Sequence, residues 1–205
     1  MRNNVKIVLF SAIITLSLAV SSYAVPERSL EGLEALRRTF ADLSDFTADI
    51  TQEKHLSLMK QKLVSRGVVR FRKPGLFYME LYPPYASRLL LKDNILTVKL
   101  PDQGTTDRIP LPPEESLERW LGYLAKPVAT LPDGVEVKAD RRGQIWTVQI
   151  FPKKKGGVKE LRITFDSEGR IRQLLIEERN QDRTVVRFTN LRRNVGLKEK
   201  EFTIE

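Results

Sequence analysis

From Ser29 onward, apolar residues fall at Leu30, Leu33, Leu36, Phe40 and Leu43. Steps of three and four put them on one side of a helix. Ser29 reads as its N-cap, with Glu31 and Glu34 in the first turn and Arg37 and Arg38 toward the other end. After Asp45 the period shortens to two. Phe46, Ala48 and Ile50 alternate with Thr47, Asp49 and Thr51, and Gln52 continues the first set. That pattern predicts a strand with one buried face. Similar runs predict strands from Leu63 to Arg72, Leu76 to Tyr82, Ser87 to Lys92 and Ile95 to Leu100. Lys73-Pro74-Gly75, Pro83-Pro84 and Lys92-Asp93-Asn94 supply the turns between them. Connections this short favour an antiparallel meander, because parallel strands need long crossovers.

The middle of the chain breaks the pattern. Pro110 to Pro113 is proline-rich, and Glu114 to Leu124 reads as a short helix with Leu117, Trp120, Leu121 and Leu124 as its stripe. Strands resume at Val135 to Ala139, Gln144 to Pro152, Glu160 to Asp166, Arg170 to Glu178 and Thr184 to Leu191, with a last short one from Glu201 to Ile204. The expectation is a mainly β, α+β domain of about eleven strands and two or three helices. In the second half, Ile145 to Phe151 and Glu160 to Phe165 each have one apolar and one polar face, which predicts a single sheet with one wet side. A long meander curls as it twists, and its apolar face needs a cover. Two short helices leave two outcomes open. The core is simply full, which composition alone favours, or the helices fall short and leave an apolar cavity fit for an acyl chain.

The N-terminus narrows the compartment. Arg2 and Lys6 precede an uncharged run of 14 residues, Ile7 to Val20, followed by Ser21-Ser22-Tyr23-Ala24. A basic segment, a short apolar segment and small residues at Ser22 and Ala24 form the layout of a signal peptide cut after Ala24. A membrane-spanning helix needs roughly 20 residues. Residues 25–205 are then a single exported domain. Cysteine is absent from the chain, which rules out disulfides, thiol chemistry and lipidation of Val25. Residues 1–24 hold two bases and no acid, so the remainder carries +7, with 33 bases against 26 acids. A basic exported domain suits anionic partners such as lipid headgroups, or the charge serves solubility alone. Export argues against nucleic acid.

Catalytic signals are weak. His55 is the single histidine and lies at the end of a predicted strand. No G-x-S-x-G elbow and no Gly-rich phosphate loop occur. The adjacent acids Glu114-Glu115 and Glu177-Glu178 suit a surface role, since neighbours on a strand point to opposite faces. No enzyme, metal or cofactor is expected. The basic clusters Arg141-Arg142, Lys153-Lys154-Lys155 and Arg192-Arg193 sit at or near predicted hairpin ends.

Three stretches carry a resemblance. Phe46 to Gln52, Gly67 to Met79 followed by Pro83-Pro84-Tyr85, and the C-terminal series Val148 to Lys153, Leu161 to Gly169 and Val186 to Asn190 keep the order and spacing of a known family. The chain resembles the LolA-like periplasmic carriers of outer-membrane lipoproteins, over most of residues 29–204. The resemblance implies an eleven-stranded antiparallel half-barrel, closed by a helical lid around an apolar cavity. It implies a periplasmic, monomeric carrier that takes an acylated lipoprotein or related lipid from an inner-membrane transporter to an outer-membrane acceptor. The candidate lining is Phe71, Phe77, Met79, Leu89, Leu91, Trp146, Val148, Ile163 and Leu174, and the candidate lid is Trp120, Leu121 and Leu124. Lys73 stands where the family usually has a lid-latching arginine; it keeps the charge and loses the planar fork. Met79 replaces the family's tryptophan. The alternative is a periplasmic sensor or regulatory domain of the same fold that binds a protein.

Overall fold

The computed structural model of the chain describes residues 27–58, 62–111, 127–131, 134–153 and 157–204. The predicted signal peptide, the predicted helix from Glu114 to Leu124 with its lid residues Trp120, Leu121 and Leu124, and Lys154 and Lys155 lie outside the described residues.

Helix α1 (Glu27–Ala41) precedes eleven strands: β1 (Asp45–His55), β2 (Lys62–Arg72), β3 (Leu76–Leu81), β4 (Ser87–Lys92), β5 (Ile95–Leu100), β6 (Thr105–Pro110), β7 (Val135–Arg142), β8 (Ile145–Pro152), β9 (Val158–Asp166), β10 (Ile171–Glu178) and β11 (Arg183–Arg193). All join one antiparallel sheet in the order β6-β5-β4-β3-β2-β1-β11-β10-β9-β8-β7. Consecutive strands pair within each of two meanders, β1 to β6 and β7 to β11, and the pairing of β1 with β11 welds the two together. β6 and β7 are the free edges, so the sheet is an open half-barrel. Asp93 and Asn94 both take the left-handed conformation in the two-residue turn between β4 and β5. That geometry matches the twist of paired strands.

α1 lies on one face of the β7–β9 half. Leu33 and Leu36 of its stripe are buried with Val137, Trp146, Val148, Ile150 and Phe165. The approach is close enough that a Cβ on Gly32 would come within 2.3 Å of the Ala139 Cβ. Helix α1 begins before Ser29, so Ser29 is not the N-cap that its position predicts. Ser29 is buried, and its hydroxyl donates to the Val137 carbonyl at 2.9 Å. Tight packing on β7 turned a capping residue into a helix–sheet tie.

The strand count matches the expectation, but one member differs. Thr105–Pro110 forms β6, although every residue in it is exposed and nothing alternates. Backbone pairing with β5 alone makes it a strand. The predicted strand from Glu201 to Ile204 does not form. Glu199–Glu201 is a short 3-10 turn, and Leu197, Phe202 and Ile204 pack on Leu76, Tyr78 and Leu90, on the face opposite α1. The alternation of Phe202 and Ile204 reflects docking onto a sheet rather than membership of it.

Candidate functional site

Strand register decides which side chains share a face. In one half, Phe46, Phe71, Phe77 and Leu91 stand opposite one another across β1, β2, β3 and β4. Ala48, Val69, Met79 and Leu89 form the next row on the same face. In the other half, Val148, Ile163 and Leu174 align, and Leu174 faces Val186 of β11. Trp146 faces Phe165 one row away. Val186 in turn faces Gln52, which alternates with Ile50, Ala48 and Phe46 along β1. All nine predicted lining residues therefore lie on the face that carries α1, hereafter the helix face. A slip of one residue in any strand would have sent that strand's members to the opposite face.

The face is unevenly covered. Val148 and Phe165 are fully buried, and Trp146 is buried, among α1, β7, β8 and β9. Phe71 is buried against Phe46, with ring centroids 5.5 Å apart. Phe77 and Met79 are half-buried at the border of that cluster. Leu89 and Leu91 of β4 and Leu96 and Val98 of β5 are also half-buried, and among the described residues they join none of the buried clusters. Phe40, near the end of α1, touches both of the larger clusters and bridges the two halves.

Lys73 holds that end of the helix. Its Nζ donates to the carbonyls of Phe40 at 2.5 Å and Ala41 at 3.2 Å. Arg193 adds a second cation, donating to the Thr39 carbonyl at 2.6 Å. Cations at a helix C-terminus satisfy unpaired carbonyls and complement the helix dipole. Burial pushes the Lys73 amine below its ordinary pKa, opposed by Asp42 and aided by Arg193. Thus the described partner of Lys73 is α1, while the predicted lid lies outside the described residues. Sequence reasoning named Arg193 only within a basic cluster and missed this role, because its partners are 25 and 154 positions away in the chain.

Glu34 ties α1 to the segment before β7. It accepts from Arg37 at 2.7 Å and from the Val128 amide at 3.2 Å. The Arg37 hydrogen bond foremost holds its carboxyl down at about 2, against the opposing effect of burial. Asp166, buried in the β9–β10 turn, accepts from both Arg170 and Arg172, which together with backbone amides outweigh burial and lower its pKa. These carboxylates are fully engaged in structure. His55 is exposed at the end of β1. Among the described residues, no group of three His, Asp or Glu side chains is placed to hold a metal ion, and no helix is long and apolar enough to cross a membrane.

A pocket of about 300 Å³ opens on the helix face at the end of the sheet where β1 finishes. Gln52, Lys54, Ser65 and Ser87 line it beside Leu81 and Tyr85. Sequence reasoning placed Gln52 on the inward set of β1 but drew nothing from its polarity.

Comparison with known proteins adds three findings. Residues 41–205 match the family model described as outer membrane lipoprotein carrier protein LolA. No curated protein sequence matches the chain. Among solved structures, the Pseudomonas aeruginosa MucA/MucB complex aligns with a TM-score of 0.51 at 9% identity, covering 86% of this chain and 61% of that one. A DUF1329 family protein from Desulfovibrio piger aligns at 0.49 and 15% identity, covering 86% and 97%. A LolA superfamily protein from Nitrosomonas europaea aligns at 0.45 and 10%, covering 86% and 98%.

Proposed function

Because this chain belongs to the LolA family of outer membrane lipoprotein carrier proteins, we propose that it binds the acyl chains of lipoproteins or related lipids on its helix face and shuttles them from inner to outer membrane. One observation carries the reading: a largely apolar face whose β7–β9 half is sealed by α1 while Leu89, Leu91, Leu96 and Val98 join no buried cluster of described residues. Phe71, Phe77, Met79, Leu89 and Leu91 contact the cargo chain in one half. Trp146, Val148, Ile163 and Leu174 form the wall under and beside α1. Trp120, Leu121 and Leu124 close over the chain as the lid, and Lys73 fixes the α1 end of the site.

Binding is mainly hydrophobic, about 0.8 kcal/mol for each buried methylene. A carrier that gains this much must release by handing the chain to a better site, or by opening its lid. Residues 1–24 direct export to the periplasm. There the chain acts as a monomer between an inner-membrane donor and an outer-membrane acceptor. No catalytic step is involved.

The test is mass spectrometry of whatever co-purifies with residues 25–205 after periplasmic expression and detergent-free extraction. The expected result is an acylated species near one per protein, lost in Met79→Asp and Leu89→Asp. An empty protein that also takes up no added fluorescent fatty acid would overturn the reading. The chain would then fall to the alternative, a domain that binds a protein, as MucB is solved in complex with MucA.

A further inference from the structure

The helix face changes character along its length. The row of Phe46, Phe71, Phe77 and Leu91 is aromatic and aliphatic. The row of Ala48, Val69, Met79 and Leu89 is apolar throughout. Further along, Gln52 faces Ser65, and Leu81 faces Ser87. The pocket of about 300 Å³ sits at this polar end, with Lys54, Asp102 and Gln103 at its border and Leu81, Tyr85 and Leu100 as its apolar wall.

Ser65 is the informative residue. It is only 5% exposed, yet its hydroxyl makes no hydrogen bond to another described residue. Every fully buried side-chain polar atom among the described residues is satisfied, so this hydroxyl opens into the pocket. A hydroxyl that opens into the pocket with no protein partner keeps its donor and acceptor positions open to a bound ligand. Gln52 and Ser87 likewise make no side-chain hydrogen bond within the described residues. Lys54 and Asp102 bring one charge of each sign to the lining, so the pocket has no net charge to favour an anionic head.

We propose that this pocket receives the uncharged, hydroxyl- or amide-bearing head of the cargo. Its acyl chain runs from there over Leu81 and Met79 toward Phe77 and Leu91. The inference rests on the acyl-carrier reading and specifies its cargo as a polar-headed neutral amphiphile, with the head at the Lys54 end. Free fatty acid and bare hydrocarbon are the excluded classes.

The experiment measures displacement of a polarity-sensitive dye by monooleoylglycerol, oleate and octadecene, which share one chain length and differ in head. The expected order puts monooleoylglycerol tightest. Ser65→Val should weaken it about five-fold, the scale of one lost neutral hydrogen bond, and leave octadecene unchanged. Gln52→Leu, at a half-buried position, repeats the test should Ser65→Val fail to fold. Tighter binding of oleate, equal binding of all three, or variants that weaken all three alike or none would overturn the headgroup site while leaving the carrier reading standing. Failure of the wild-type chain to bind any of the three would sink the carrier reading itself.

Discussion

The β7–β9 half of the sheet and the β3–β5 half both present an apolar helix face, and the two faces meet opposite fates. In the first, Val148, Phe165, Val137 and Trp146 vanish beneath α1, whose Gly32 allows near contact with Ala139. In the second, Met79, Leu89, Leu91 and Val98 stay half-buried on the helix face, while Leu76, Tyr78 and Leu90 make the opposite face of β3 and β4 apolar as well. Period two states which side of a strand is apolar. It does not state whether anything covers that side. Of the two open outcomes for the core, the β7–β9 half is the full one, and the acyl-binding proposal concerns the other.

Paired truncations test this contrast most strongly. Phe165→Ala removes a buried ring from the covered half and should cost about 3–5 kcal/mol. Leu89→Ala removes a half-buried side chain and should cost about 1 kcal/mol or less. Urea unfolding of both variants measures the difference, and acyl-chain uptake should reverse it, with Leu89→Ala the more damaged. Equal losses of stability would mean that both halves are equally filled, and β4 would no longer serve as a cargo surface.

The same contrast explains how far the sequence could be read. Strands with one buried face were legible to within a few residues, and Ser87–Lys92 and Ile95–Leu100 coincide with β4 and β5. β6 was illegible because Thr105–Pro110 buries neither face, and ladder pairing leaves no mark in hydropathy. The tail from Leu197 to Ile204 misled for the converse reason, since it buries Phe202 on the outer face without pairing. The nine predicted lining residues fell on one face because period two was kept from strand to strand in register, even through the apolar runs Leu76 to Met79 and Leu89 to Leu91. Lys73 was singled out through its place beside Pro74. Its carbonyl partners on α1, and the whole role of Arg193, depend on contacts across the fold that no local pattern encodes.

Gly32→Val asks whether the covered half depends on closeness as well as on area. Its Cβ would lie 2.3 Å from the Ala139 Cβ and 3.3 Å from Val148 Cγ2. Overpacking of this kind should cost about 1–3 kcal/mol, read as a fall in thermal midpoint. Adding Ala139→Gly should recover part of it, because the two atoms compete for one space. A variant as stable as the wild type would mean that α1 slides freely over β7. The halves would then differ in degree of cover and not in kind.

The smallest effect concerns charge. Glu34 is pulled from 4.5 to about 2, chiefly by its hydrogen bond from Arg37, and it also accepts from the Val128 amide. A carboxylate lowered in the folded state contributes stability that is complete above its unfolded value. That contribution is lost as pH falls from about 4.5 toward 2. The pair is partly solvated, so screening limits the contribution to about 1 kcal/mol or less. Glu34→Gln should therefore lower stability slightly at pH 7 and converge with the wild type near pH 2, in urea titrations at stepped pH. Asp166 and other lowered carboxylates titrate in both proteins, so only the difference between them reports on Glu34. A difference that persists unchanged at pH 2 would assign Glu34 a packing role. The tie between α1 and the segment before β7 would then be steric, and the covered half would owe its closure to apolar contact alone.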